Sequence, residues 1–241
     1  MSTPAIGAAN ARRSGHDQPS DYKRIYVWQF PVRLFHWATA ASIVLLCITG
    51  FLIGHPLNAF YAAEAYHQYW FGWVRFVHFT AAFVLMAVQI LRLYWAFAGN
   101  RYANWRHFLP LTRAQWEDIE NLISTEISQI RKQERYHMGH NSLAATTYFV
   151  MFLAFLFQTA TGLALYAHMS DARLTHIFNW IVPLLGGDAG VRFWHHLFLW
   201  AFVLFIIVHV YLVLYDDYVK GGGEISAMIS GWKFKRNGNE R

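Results

Sequence analysis

The sequence predicts an all-α membrane protein built as a bundle of four transmembrane helices. Hydrophobic residues make up 56% of the 241 residues and charged residues only 14%, whereas a soluble domain carries roughly 25% charged residues. Aromatic residues reach 18%, including 11 Trp, and such side chains collect at bilayer interfaces. The third observation is a set of four windows with almost no Asp, Glu, Lys or Arg, because about 20 apolar residues in a helix span the hydrocarbon core.

These windows place the spans in chain order. The predicted helices cover residues 34–54, 71–97, 142–168 and 191–216. A polar N-terminal segment (1–33) precedes the helical domain (34–216), and a C-terminal tail (217–241) follows it. The apolar run 177–187 contains Pro183 and two glycines and is too short to span, so we expect a short interfacial segment before the fourth helix.

The distribution of Lys and Arg predicts the orientation of the bundle. Sixteen of the 20 basic residues fall in the N-terminal segment, the 98–140 connection and the tail, which four spans place on one side. The opposite side carries only Arg75, Arg173 and Arg192. Positive charge favours the cytoplasmic side, so both termini are predicted to be cytoplasmic. Because the basic charge marks topology, the net charge of +6 does not indicate nucleic-acid binding.

The single cysteine excludes several cofactor classes. One Cys in the chain cannot form an internal disulfide framework or a cysteine-ligated zinc or iron–sulfur site. It also excludes the C-x-x-C-H motif that attaches haem covalently.

An ionisable side chain inside an apolar window is by default a candidate functional residue, and four of the histidines there stand out by their spacing: His36, His78, His195 and His209. His195 and His209 are 14 residues apart, so they share one helix face and are separated by about 21 Å along the axis. His36 is near the inner start of the first span, at the depth of His209, and His78 is near the outer start of the second, at the depth of His195. The sequence therefore predicts an inner pair, His36 with His209, and an outer pair, His78 with His195.

Paired histidines that face each other across a bundle can supply both axial ligands of a haem. With only one Cys, such a haem would be a noncovalent b-type haem, and bis-histidine ligation favours electron transfer over oxygen chemistry. We therefore expect two haem b groups and no catalytic residues. His196 is an alternative to His195, although it lies about 100° away round the helix from the His209 face. For any one of these histidines, a neutral imidazole bonded to a neighbouring helix is the competing interpretation.

Other residues follow the same helical spacing. Gly50 lies 14 residues after His36 and would let the outer macrocycle approach the first helix, although ordinary close packing explains it equally well. Arg92, Arg33 and Arg75 are candidates for contacts with haem propionates. For Arg92 the competing interpretation is an extended side chain that reaches the cytoplasmic interface.

Several motifs in chain order resemble the b-type cytochrome subunits of membrane-bound nickel–iron hydrogenases. The matching segments are 31–37 (PVRLFHW), 72–79 (GWVRFVHF), 92–102 (RLYWAFAGNRY), 139–141 (GHN), 194–197 (WHHL), 209–211 (HVY) and 228–232 (MISGW). The resemblance covers the chain from about residue 25 to residue 235. His196 departs from the family pattern.

The resemblance implies a multi-pass subunit of the bacterial inner membrane that carries electrons without being an enzyme on its own. Its donor would be a periplasmic hydrogenase of small and large subunits, held chiefly through a transmembrane helix at the C-terminal end of the small subunit. Its acceptor would be a membrane quinone near the inner haem, with Asn141 and His140 as candidate contacts. Without the resemblance, Asn141 is simply a good N-cap for the third helix.

Two other functions fit parts of the pattern. A formate dehydrogenase or another periplasmic oxidoreductase could replace the hydrogenase as donor. A transporter that relays protons through its histidines is the alternative from another class, but the four apolar windows contain no Asp or Glu to take part in a relay.

Reporter fusions test the predicted orientation. Fusions placed after Asn100 and after Lys220 should report the cytoplasm, and a fusion after Ala172 should report the periplasm, because basic loops stay inside. Alkaline phosphatase and a fluorescent protein as paired reporters provide opposite signals at each point. A periplasmic 98–140 connection would reverse the assignment of inner and outer haems.

Overall fold

The structure is a computed structural model that describes residues 22–56, 69–100, 104–105, 113, 116–117, 120, 142–220 and 223–236. The elements in chain order are β1 (Tyr22–Tyr26), α1 (Phe30–Gly54), α2 (Trp70–Ala98), α3 (Ser142–Ala167), α4 (Arg173–His176), α5 (Ile181–Leu184), α6 (Asp188–Lys220), α7 (Glu224–Ser230) and β2 (Trp232–Arg236).

Four of these helices, α1, α2, α3 and α6, are long and apolar enough to cross a membrane. The four predicted spans are therefore confirmed, and two of them extend further than expected. α1 begins at Phe30, because Pro31 suits the first turn of a helix, where its missing N–H is not needed. α6 runs from Asp188 to Lys220 and so includes polar residues on both sides of its apolar centre. Large apolar side chains on the outside, such as Ile90 and Leu204, are exposed as lipid contact requires.

The bundle is built from two packed helix pairs. α1 packs along α2, α3 packs on α6, and α1 also contacts α6. One buried residue from each long helix meets the others in an apolar cluster, which we call the central cluster: Ile43, Leu85, Phe155 and Phe202. The rings of Phe155 and Phe202 stack with their centroids 4.7 Å apart. The central cluster therefore joins the two helix pairs in the middle of the bundle.

Two one-turn helices, α4 and α5, connect α3 to α6. α5 lies within the apolar run that the sequence shows to be too short to span. Gly186 and Gly187 follow α5 with φ angles of 85° and 89°, a region that glycine enters without a steric cost. This turn directs the chain into α6, and His168 at the end of α3 pairs with Asp188 at the start of α6, 3.1 Å away.

The two terminal segments join each other at one end of the bundle. β1 pairs antiparallel with β2, with Tyr22 opposite Arg236 and Tyr26 opposite Trp232. The sequence did not predict this small sheet, because its strands are short, rich in basic residues and separated by about 200 residues of chain. We call this end of the bundle the tail end, and the opposite end, where α1 and α3 stop and α2 and α6 start, the loop end.

Backbone and side-chain hydrogen bonds attach the terminal sheet to the bundle. The amides of Val27 and Trp28 both donate to the carbonyl of Gly231, and the indole of Trp37 on α1 donates to the carbonyl of Met228, 3.1 Å away. Asn100, just after α2, donates its side-chain amide to the carbonyl of Val27. The start of α1, the end of α2 and the residues after α6 therefore lie on one side, as four consecutive spans require.

A buried ion pair completes this attachment. Lys233 on β2 is only 2% exposed and bonds to Glu224 at the start of α7. A buried ammonium group needs such a partner, because removing one member of the pair leaves an uncompensated charge.

Gly231 is predicted to be indispensable to the terminal sheet. Its φ is 90°, and a Cβ there would lie 2.5 Å from the Tyr26 ring and 2.7 Å from the carbonyl oxygen of Trp28. Gly231→Ala should therefore cost about 1–3 kcal/mol from the backbone conformation alone and more from the contacts. Hydrogen exchange of the β1 and β2 amides should rise sharply, whereas Gly72→Ala, where no atom lies within 4 Å, should leave it unchanged. Unchanged exchange in the Gly231 variant would contradict this account of the turn.

Candidate functional site

The tail-end half of the bundle brings His36 and His209 together. Their ring centroids lie 6.3 Å apart and the ring planes are inclined by 53°. A bond from a first-row metal ion to an imidazole nitrogen is about 2 Å long, so two such bonds and the adjoining halves of the rings span about 6 Å. The separation therefore fits one iron ion between the two rings.

The environment of this pair is apolar and aromatic. The Nδ1 atom of His36 is buried and has no hydrogen-bond partner among the described residues, which is uncommon for a buried polar atom. The ring of His209 stacks on Phe205 at 5.5 Å and meets the edge of Tyr148 at 6.2 Å. These contacts hold the His209 ring but leave the His36 nitrogen unsatisfied, as expected where a further group is to be bound.

The loop-end half contains His78 and His195, each bonded to a threonine of the neighbouring helix. The Nδ1 atom of His78 lies 2.9 Å from the hydroxyl of Thr49 on α1. The Nδ1 atom of His195 lies 2.9 Å from the hydroxyl of Thr161 on α3.

A glycine follows each of these threonines and lies against the same imidazole. A Cβ on Gly50 would be 3.4 Å from Cε1 of His78, and a Cβ on Gly162 would be 3.2 Å from Cε1 of His195. Gly50 therefore makes room chiefly for Leu199, at 3.2 Å, with the His78 ring at ordinary contact distance. This fits the close packing expected from the sequence, and a contact of Gly50 with a macrocycle stays a prediction. Thr49, Thr161 and Gly162 are not among the residues predicted from the sequence, although the dipeptide Thr-Gly recurs in two apolar windows.

His196 occupies a different place from His195. Its ring is directed towards the end of α1, where a Cβ on Gly54 would be 2.8 Å from Cε1 of His196. It also lines a small cavity with His55 and Trp200. His195 is the one that has the same kind of partners as His78.

The three candidate arginines are spread over both ends of the bundle. Arg33 donates to the carbonyl of Ile229 on α7, and its guanidinium lies 5.7 Å from the centre of the Phe30 ring. Arg75 contacts the sulfur of Met169 beyond the end of α3. Arg92 is partly buried within α2. The contacts of these arginines with haem propionates stay predictions. The candidate quinone residues, His140 and Asn141, lie outside the described residues.

Histidines at two depths, on apolar helices that can cross a membrane, define the arrangement expected of a membrane cytochrome of the b type. No group of three or more His, Cys, Asp or Glu side chains in the described part of the chain is arranged to hold a metal ion by itself. His36 and His209 form a pair, which suits an iron whose other four ligands belong to a porphyrin.

Comparisons with known proteins agree with this class. A family model described as prokaryotic cytochrome b561 matches residues 27–231. A protein of Azotobacter vinelandii, named as a probable Ni/Fe-hydrogenase B-type cytochrome subunit, is 37% identical over 223 residues, which are 91% of this chain and 92% of that protein. A protein of the same name from Cupriavidus necator is 38% identical over 88% of this chain and 87% of its own length. The Escherichia coli K12 protein named as a probable Ni/Fe-hydrogenase 1 B-type cytochrome subunit is 33% identical over 88% of this chain and 92% of its own length.

The chain belongs to the prokaryotic cytochrome b561 family. The names of its relatives confirm the resemblance to hydrogenase cytochrome subunits that the sequence motifs indicate.

Proposed function

We propose that this chain is a dihaem cytochrome b that carries electrons from a periplasmic nickel–iron hydrogenase across the membrane to a quinone. The observation that carries the proposal is the placement of two histidine sets at different depths in one apolar bundle. His36 and His209, 6.3 Å apart, would hold the haem at the tail end. His78 and His195 would hold the haem at the loop end.

A haem held by these histidines would supply reversible one-electron chemistry. The protein residues would determine how that chemistry is used. Two histidine ligands per iron would favour electron transfer over oxygen binding. We assign His195 rather than His196 to the loop-end site, because His195 and His78 each share a hydrogen bond with a threonine hydroxyl and lie against a glycine.

Helix α6 sets the distance between the two sites. It carries both His195 and His209, about 21 Å apart along its axis at 1.5 Å per residue. Phe202 of the central cluster lies midway between them in the sequence. Electrons would therefore pass between two sites held by one continuous helix, with packed apolar side chains between them. Arg92 and Arg33 at the tail end, and Arg75 at the loop end, are the proposed contacts of the propionates.

The distribution of basic residues supports a cytoplasmic tail end in a bacterial inner membrane, since most of the Lys and Arg lie on that side. The donor would then be at the loop end, on the periplasmic side. In the hydrogenase complex, the transmembrane helix at the C-terminal end of the small subunit would lie beside this bundle. The short segment with α4 and α5 would lie at the periplasmic interface.

Electron flow in this direction works against the membrane potential. Moving one charge across it costs about 2.3 kcal/mol per 100 mV, so the acceptor must have a higher potential than the donor. Hydrogen is a strong reductant and a quinone is a suitable acceptor. If the quinone takes its protons from the cytoplasm, turnover generates a potential across the membrane.

The relatives' names favour a hydrogenase over a formate dehydrogenase as the donor. A proton-relay transporter is disfavoured by the lack of carboxylates in the four apolar windows.

Haem content tests the two-site arrangement. The wild-type protein should contain two haems per chain in a pyridine haemochrome assay. His209→Ala and His195→Ala should each lose one haem and keep the other, because each removes a ligand from a single site. His196→Ala should keep both, and His168→Ala, an exposed histidine at the loop end, is the matched control. One haem in the wild type, or full content in the His209 variant, would contradict the proposal.

Quinone reduction tests the proposed exit of electrons. Asn141→Ala should leave both haems bound and reducible by hydrogen in the purified complex, while quinol formation falls at least tenfold. His140→Ala should have a smaller effect, since a histidine at this position would only assist proton delivery. Liposomes that contain the complex allow haem reduction, quinol formation and membrane potential to be followed together. Normal quinol formation in the double variant would show that the quinone binds elsewhere.

A further inference from the structure

The threonine hydroxyls at the loop end can only accept hydrogen bonds from the histidines. Thr49 Oγ1 lies 2.6 Å from the carbonyl oxygen of Leu45, and two oxygens approach so closely only when a hydrogen lies between them. The carbonyl has no hydrogen to give, so the hydroxyl donates its single hydrogen there. Towards His78 Nδ1, 2.9 Å away, the hydroxyl is therefore the acceptor and the ring nitrogen is the donor.

The second threonine has the same arrangement. Thr161 Oγ1 lies 3.0 Å from the carbonyl oxygens of Phe157 and Gln158 on its own helix, and 2.9 Å from His195 Nδ1. Because the Thr161 hydroxyl donates its hydrogen to a carbonyl of its own helix, it accepts the hydrogen bond from the His195 ring. A neutral imidazole carries one N–H, so in both histidines Nδ1 bears the hydrogen and Nε2 has the lone pair that binds a metal ion.

The adjacent glycines determine where each ring lies. A Cβ at residue 162 would be 3.2 Å from His195 Cε1, closer than ordinary van der Waals contact, so the ring would have to move. A Cβ at residue 50 would be 3.4 Å from His78 Cε1 and 3.2 Å from a methyl carbon of Leu199. Each Thr-Gly pair thus places a hydroxyl and a glycine against one imidazole. The glycine leaves needed space for His195 at Gly162, whereas at Gly50 the tight neighbour is Leu199 and the His78 ring is at ordinary contact distance.

The tail-end pair, His36 and His209, has no such threonine partner among the described residues. His36 Nδ1 has no hydrogen-bond partner among the described residues, and His209 packs between the rings of Phe205 and Tyr148. A hydrogen bond donated by Nδ1 makes the opposite ring nitrogen a stronger ligand. A stronger donor favours the oxidised, more positively charged iron, and hydrogen bonding around the metal ion is one of the means by which proteins adjust haem potentials.

We propose that Thr49-Gly50 and Thr161-Gly162 are positioning pairs that hold His78 and His195 as Nε2 ligands and lower the potential of the loop-end haem relative to the tail-end haem. The proposal rests on the two-haem function proposed above. It deepens that function, because a lower potential at the loop end supplies part of the downhill step that electrons need to cross the membrane.

Redox titration of the purified hydrogenase–cytochrome complex tests this inference. The double variant Thr49→Val and Thr161→Val keeps the shape of each side chain and removes the acceptor. One haem component should shift to higher potential while the other stays in place, and the electron paramagnetic resonance signal of one ferric haem should change. Thr80→Val is the matched control, since Thr80 is an exposed threonine of α2 that faces the groove between α1 and α2. It should shift neither component.

Serine variants separate positioning from simple packing. Thr49→Ser and Thr161→Ser lose a methyl group but keep the hydroxyl, so both should retain the wild-type potentials. If the valine variants bind haem about 10- to 100-fold more weakly, as loss of such a partner can cause, serine should restore binding. Serine variants that behave like the valine variants would overturn the proposal, and so would a double valine variant with both haems and unchanged potentials.

The wild-type titration distinguishes the two proposals. A single redox component and one haem per chain in the unmodified complex would refute the two-haem function itself. If the wild type shows two redox components and the valine variants shift the potentials of both equally, only the role of the Thr-Gly pairs is refuted.

Discussion

An imidazole inside a lipid bilayer has no water to satisfy its two nitrogens, and this constraint organises the whole bundle. Each unsatisfied polar group in hydrocarbon costs several kcal/mol, so histidines on apolar helices need partners at defined positions. At the loop end, threonines of neighbouring helices supply one partner for each ring. The second nitrogen is then available for a metal ion. The four partly buried histidines are therefore the residues that we propose as haem ligands.

The regular period of the α-helix determines where in the bundle these histidines can lie. Residues 14 apart on α6 face the same direction at two depths, and the antiparallel directions of α1 and α2 bring one histidine to each depth. The terminal sheet keeps this arrangement in register at the tail end, because β1, α7 and β2 attach the start of α1 to the residues after α6. The two strands and α7 therefore help to position the helices that carry His36 and His209.

Much of this architecture could be predicted from the sequence, because hydropathy and helical period act locally. The four spans are confirmed, and His36 lies beside His209 as the spacing requires, although the role of both as ligands stays a prediction. The contacts of Thr49 and Thr161 could not be predicted in the same way. A threonine in a helix bonds its own preceding turn in any case, and only the packing of a second helix shows that it also accepts from an imidazole. The terminal sheet could not be predicted either, because its two strands pair across almost the full length of the chain and local sequence patterns do not show such a contact.

The central cluster also places an apolar layer between the two proposed haem sites. Ile43, Leu85, Phe155 and Phe202 carry no polar side-chain group, so the layer would oppose the passage of protons between those sites. An electron can cross such a barrier by tunnelling, whereas an ion would have to enter a region of low dielectric constant at a cost of several kcal/mol or more. A membrane potential generated by the redox reaction would consequently not leak back through the protein that generates it.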